Sequence, residues 1–223
     1  MDSAFPIRIE HVPGMQGDAP GDRWLVTGLK EAGFEDTTLF DWTGYRWPMT
    51  NLRDRRQHRQ AGQLLAERIA TYHRHHPATR HVLVGHSTGA MIILEALDQL
   101  GTVIVDQAWL LNAAVSRRYD LRPALAGTRR LISIYSPFDY MVLNLGTRVF
   151  GTADGKREAS AGFAPFVGPG SNDARVEQIA WDRRWAKTGH YGGHLGPLTP
   201  INRLFVRDVL APMISERFTD TSG

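Results

Sequence analysis

The stretch HVLVGHSTGAMIILEAL, residues 81–97, constrains the fold more than any other part of the chain. His81–Val84 is a short run with no polar alternation, as expected of a strand buried on both faces. A turn with Gly85 and Gly89 at its ends follows at once. The next segment, Thr88–Leu100, is apolar nearly all round and stops at Gly101, so it predicts a helix packed against a sheet rather than lying on a surface. A buried strand feeding directly into a buried helix implies a parallel sheet with helices on its faces.

The rest of the chain repeats that alternation. Strands are predicted at Pro6–Val12, Thr37–Trp42, His81–Val84, Gln107–Leu111, Arg130–Tyr135 and Val176–Trp181. Helices are predicted at Asp22–Ala32, with Asp22 as its cap and Gly33 as its stop, and at Asp54–His75, which ends before Pro77. The second carries Ala61, Leu64, Leu65, Ile69 and Tyr72 at helical spacing. A last helix is predicted over Ile201–Ile214, on the pattern of Leu204, Phe205, Asp208 and Val209. Residues Gly151–Arg175 show no period and several Gly and Pro, which predicts a long loop, a common place for a lid or binding loop. With no repeat or linker, the 223 residues are expected to form one domain, 1–223: a three-layer α/β/α sandwich around a mostly parallel sheet of about six strands.

Composition excludes several functions. No cysteine is present, so disulfides, thiolate metal sites and cysteine nucleophiles are out. A net charge of +3 is too small to demand a nucleic-acid partner. No apolar run is long enough to span a bilayer, and the N-terminus lacks the basic and apolar regions of a signal peptide; a cytoplasmic location is the expectation. Oligomeric state is not legible.

The turn between strand and helix reads Gly85-His86-Ser87-Thr88-Gly89, a G-x-S-x-G pattern. Small residues at both ends permit a turn tight enough to hold a serine at its apex, above a helix N-terminus that favours negative charge. A serine hydroxyl needs a base, and the base needs an orienting acid. Asp139 in LISIYSPFDYMV follows an apolar strand at the same sheet edge and is the first choice of acid, with Asp120 as the backup. For the base, TGHYGGHLGPLTP offers His190 and His194; His194 is preferred because it follows Gly-Gly just before the last helix. His190 would then be a histidine lining the site, and His86 would pack beside the serine. An oxyanion hole needs two backbone N–H groups. One is expected from Thr88 and the other from EHVPGMQGD, with Met15 the first choice and Gln16 the alternative. Gly14 there lets backbone approach a ligand closely.

Other features invite readings of their own. Trp42, Tyr45, Trp47 and Tyr191 suggest an apolar pocket near the mouth, or ordinary packing. YHRHHP, with His73, His75, His76 and His81, reads as a helix end with histidines facing water and complementing the helix C-terminus, not as a metal cluster. RDRRQHRQ reads as a solvated helix start. No metal or cofactor is expected.

These motifs together resemble the α/β-hydrolases of the lipase/esterase type: VPGMQGD after the first strand, DWT at Asp41–Thr43, GHSTG, SPFD at Ser136–Asp139, and GGHLG at Gly192–Gly196. LLNAAVSRRYDL followed by YSPFDYMVLNLGTRVFGTADG is similar to a group of bacterial members. The resemblance covers nearly the whole chain and implies the fold and a Ser87–His194–Asp139 triad. Two departures stand out: the opening β-hairpin of the fold is missing, and Asn112–Arg129 is too short for a cap domain. The expectation is a serine hydrolase of carboxylic esters acting through an acyl-enzyme on a small-molecule ester or acyl substrate, in an open site. Thioesterase, acyltransferase and peptidase chemistry share the triad, and a non-catalytic binding protein would share the fold.

Overall fold

Six strands pair side by side in the order β2-β1-β3-β4-β5-β6, every pair parallel. They are β1 Ile7–Val12, β2 Thr37–Leu39, β3 Arg80–His86, β4 Val105–Leu111, β5 Thr128–Tyr135 and β6 Val176–Ala180. This computed structural model describes residues 5–44, 47–139, 151–193 and 200–219. All six predicted strands are present, and the sheet is wholly parallel within these bounds. The architecture is the expected three-layer sandwich.

The two faces of the sheet explain the unbroken apolar runs. Leu83, Ala108, Leu110 and Leu131 turn to one side, where they pack against helices α3 (Arg55–His75), α4 (Gly89–Leu100) and α5 (Arg122–Leu125). Val82, Val84, Trp109, Leu111, Ile132 and Ile134 turn to the other, against α1 (Pro20–Glu31) and the C-terminal helical segments. Alternate residues of one strand therefore enter different cores, and both sets are chiefly apolar, with Gln107 and Ser133 among the buried exceptions. The apolar α4 helix ends at Gly101 in the left-handed conformation, φ 60°, where a glycine carries no Cβ penalty.

Several local expectations are corrected. Helix α1 starts at Pro20, whose missing N–H costs nothing at a first helical position; Asp22 is not its cap but a buried member of its first turn. The Asp22 carboxylate meets Nε2 of the buried His11 at 2.8 Å, while His11 Nδ1 donates to the Val84 carbonyl. A short helix, α2 (Pro48–Arg53), was not foreseen. Asp54 does cap α3, accepting from the Gln57 amide, but Leu64 is 59% exposed. The last helical segment reaches beyond Ile214: α6 (Arg203–Phe205) passes through a wide π turn, Val206–Leu210, into α7 (Ala211–Thr219). Pro212 lies one turn on, and its ring cannot tolerate the carbonyl four residues back in ordinary helical register, which accounts for the widened turn. His75 and His76 bond carbonyls of the last turn of α3 as expected. His81 does not face water; it is 1% exposed, edge-on to Tyr72.

The long loop 151–175 is not a loose lid. Its backbone amides at Ala153, Ala161, Gly162 and Val167 donate to carbonyls of Ala114, Val115, Ala113 and Arg117. Asp154 accepts from the Ser116 amide at 2.8 Å, and Ala153, Ala161 and Phe166 enter the core. The loop is fastened along the segment after β4 by its backbone, and these apolar side chains are buried.

Register decides where the site lies. Val12 is level with Gly85, His86 with Leu111, Leu111 with Ile134, and Tyr135 with Ala180. The residues following β1, β3, β4 and β5 therefore emerge together along one edge. The strand order reverses between β1 and β3, and in open parallel sheets ligands bind in the crevice at such a reversal.

Candidate active site

Ser87 stands in that crevice, between the last residue of β3 and the first turn of α4, with φ 54°. A left-handed conformation costs a residue with a β-carbon roughly 1–2 kcal/mol and persists only where its surroundings hold it. Three backbone bonds do so. The Ser87 amide donates to Leu111 at 3.0 Å, and its carbonyl accepts from Ala90 at 3.2 Å and Ala114 at 3.1 Å. The flanking glycines serve close approach. A β-carbon on Gly89 would stand 2.6 Å from the Pro13 carbonyl oxygen, and one on Gly85 would stand 2.7 Å from Ile93 Cδ1. The loop after β1 thus runs directly over the start of α4.

That loop also reaches the serine. A β-carbon on Gly14 would lie 3.3 Å from Ser87 Cβ and 3.6 Å from His86 Nδ1. The Gly14 carbonyl accepts from the Gly17 amide, making a tight turn with Met15 and Gln16 at its centre. The Met15 carbonyl accepts from Asn51 Nδ2 at 3.0 Å. Across trans peptide planes the Met15 and Gln16 N–H groups point opposite to those two carbonyls, away from the bonds that build the turn. Gln16 is exposed and Met15 half-buried. Thr88 is fully buried and precedes the first residue of α4, so its amide belongs to the N-terminal set for which a helix has no internal acceptor.

The loop is held from behind by residues the sequence did not single out for that task. Trp42 is 7% exposed, part of the core rather than an open mouth, and its Nε1–H donates to the Pro13 carbonyl at 2.9 Å. Asn51 gives its side-chain amide to Met15, and its own carbonyl accepts from His58 Nε2 at 2.6 Å. His58 must therefore carry its proton on Nε2, and burial pushes its pKa below the ordinary histidine value. Of the aromatics singled out in the sequence, Trp47, 74% exposed, and Tyr191, 55% exposed, lie on the surface. Tyr45 lies outside the described residues.

On the next strands, Asp139 is 3% exposed at the end of a turn in which its amide donates to the Ser136 carbonyl. One oxygen, Oδ2, accepts from Asn112 Nδ2 at 3.0 Å. Asp120 is occupied elsewhere, clamped by the Arg122 guanidinium at 2.6 Å on the surface, and that hydrogen bond holds its pKa below the usual carboxylate range.

The loop after His190 lies against the turn that carries Asp139. A β-carbon on Gly192 would meet Ser136 Oγ at 2.7 Å and Phe138 Cβ at 3.2 Å. His190 is fully buried, stacked on Trp185 with centroids 5.8 Å apart and edge-on to Phe205 at 4.6 Å. Its Nδ1 accepts from the Gly192 amide at 3.3 Å. His194 lies outside the described residues. Among the described residues no cluster of three or more His, Cys, Asp or Glu could hold a metal, and no helix is long and apolar enough to cross a membrane.

Arranged at one sheet edge, then, are a strained serine, a glycine-bearing loop whose backbone touches it, a buried carboxylate and a histidine loop. Asn112, Asn51 and His58 were missed; the only signal in the sequence was an Asn directly after the apolar strand WLL. No curated protein matches the sequence. Among solved structures, a protein assigned as an aryl esterase from Burkholderia cenocepacia matches with TM-score 0.51 and 13% identity, over 96% of this chain and 92% of that one. A mature lipase from Bacillus licheniformis gives TM-score 0.53 at 12% identity, over 96% and 92%. At these identities the likeness is one of fold. A sequence model described as the alpha/beta hydrolase family matches residues 11–217.

Proposed function

We propose, since the chain belongs to the alpha/beta hydrolase family, that it is a serine hydrolase of carboxylic esters with Ser87 as nucleophile. The observation that carries this reading is the left-handed Ser87, φ 54°, held against the Gly14 backbone. Strain of this kind concentrates at functional sites because it must be maintained by the surrounding fold.

In the proposed reaction His194 removes the proton from Ser87 Oγ as that oxygen attacks the ester carbonyl. Asp139 orients the imidazole and balances its positive charge. The Met15 and Thr88 amides donate to the developing oxyanion. The imidazolium then protonates the departing alcohol, and water, activated by His194, releases the acid from Ser87. Two observations favour His194 over His190 as the base. His190 is packed between Trp185 and Phe205. Its Nδ1 also accepts a hydrogen bond, which puts its proton on Nε2, whereas a base oriented by a carboxylate needs the opposite tautomer.

A fluorophosphonate probe tests the nucleophile without knowledge of the substrate. It should label Ser87 and leave Ser87→Ala unlabelled; folded protein that resists the probe, with ester hydrolysis surviving Ser87→Ala, defeats the reading. A series of p-nitrophenyl esters of increasing chain length would then show a length optimum for an ester hydrolase, and a flat background for a protein that only binds.

A further inference from the structure

Two non-glycine residues among those described adopt the left-handed conformation, Ser87 and Asn112. They occupy equivalent places on neighbouring strands. Ser87 follows β3 and donates its amide to Leu111 of β4; Asn112 follows β4 and donates its amide to Ile134 of β5. The hydrogen-bond ladder of the sheet thus continues one step past each strand. Asn is the side chain that most readily accepts such a φ after glycine.

A glycine would adopt φ 46° more easily, so the side chain of Asn112 has a use of its own. It is fully buried, and its Nδ2 donates to Asp139 Oδ2 at 3.0 Å. A buried amide whose N–H meets a buried carboxylate oxygen makes a charge-assisted bond of fixed direction. Asp139 hangs on a turn after β5, carried by Ser136–Phe138, whereas Asn112 is locked to the sheet by its backbone.

We propose that Asn112 is a positioning residue for the acid. It holds Oδ2, fixes the plane of the Asp139 carboxylate and leaves Oδ1 to face the base. This inference rests on the Ser87–His194–Asp139 reading above, and it adds a fourth member that touches neither substrate nor reacting atoms. The left-handed Asn112 backbone and its bond to the acid on the turn after β5 occur together.

The test is the rate at which the fluorophosphonate probe labels Ser87, separated into its maximal rate and its half-saturating concentration. Asn112→Gly keeps the backbone conformation and removes the bond. Its maximal rate should fall about 10-fold or more, as expected when an oriented catalytic group is loosened, with half-saturation within about twofold. In an Asp139→Asn background the same change should have little further effect, because residues acting as one unit are not additive. Asn112→Asp supplies a second variant should the glycine form fail to fold. The carboxyl it introduces can donate when protonated, as the amide does, and cannot when ionised. The labelling rate of this variant relative to the parent should therefore rise as pH falls from about 8 to about 5.

The outcomes separate cleanly. If Ser87→Ala is still labelled and active, both the triad reading and this inference fall. If Ser87→Ala and Asp139→Asn are impaired but Asn112→Gly labels at the parent rate, or slows equally in both backgrounds, the positioning role alone is wrong. A pH-independent ratio for Asn112→Asp overturns it as well.

Discussion

The indole Nε1–H of Trp42 donates to the carbonyl oxygen of Pro13 at 2.9 Å, and through that bond the segment after β2 fixes the loop that touches the serine. Pro13 immediately precedes Gly14, whose backbone packs against Ser87. Trp42→Phe keeps most of the buried ring and deletes the donor, leaving the Pro13 carbonyl without that partner. The expected cost is about 1 kcal/mol in urea unfolding. Probe labelling should slow several-fold, since a small misplacement of oxyanion donors weakens transition-state stabilisation. Unchanged labelling beside the full stability loss would show that the loop does not depend on this tether.

Gly89 and Gly33 make a controlled pair. A β-carbon at Gly89 would lie 2.6 Å from the Pro13 carbonyl oxygen, a backbone atom that cannot rotate away. At Gly33, with φ 98°, nothing lies within 4 Å. Gly89→Ala should therefore destabilise by roughly 2 kcal/mol or more, in the range of overpacked sites, and abolish labelling. Gly33→Ala should cost only about 1 kcal/mol from its backbone conformation and leave labelling intact. Thermal melts with labelling of the same samples distinguish the two.

Strain at Ser87 is measurable as stability. Ser87→Gly removes the left-handed penalty and should raise stability by about 1 kcal/mol, shifting Tm upward by a few degrees, while eliminating labelling. Ser87→Ala, which keeps its β-carbon, should remove labelling without that gain. Equal melting temperatures for the two would mean that the turn is not strained.

The buried His81 sets an acid limit on stability. Burial, with the nearby His73 and Arg8, pushes its pKa from 6.5 to about 4. A folded-state pKa below the unfolded value means that the unfolded chain binds the proton first. The associated stability is present above about pH 6.5 and is lost as pH falls towards 4, by roughly 3 kcal/mol at pH 4. His81→Phe keeps an aromatic edge against Tyr72 and should flatten the urea midpoint between about pH 7 and about pH 4.5 relative to the parent. An identical slope in both would assign the acid sensitivity to other groups.

The layers and the serine turn were readable because local chemistry and tertiary demand agree there. Val82–Val84 must be apolar on both faces of a central strand, and Gly85 and Gly89 admit no side chain where strand, helix and the β1 loop cross. Where the two demands part, the sequence misleads. Leu64 has helical spacing yet faces water, because the buried face of α3 runs through His58, Ala61, Leu65 and Ile69 and leaves it outside. His81 resembles the solvated histidines beside it, but strand pairing carries it inside. The long loop expected from the glycines and prolines of 151–175 is present but fastened, because its amides find the carbonyls of 113–117, a stretch on the far side of β5 in sequence.

The sequence by itself determined the class of fold and the place of Ser87, since buried parallel strands, tight turns and helix ends each require particular residue types within a few positions. Only the tertiary structure decided what surrounds that serine. Trp42, Asn51 and Asn112 belong to different elements and reach the site through single hydrogen bonds that no periodicity records. Register brings the ends of β1, β3, β4 and β5 level, and that alignment, fixed by side-chain packing on both faces of the sheet, gathers separate loops at one candidate site.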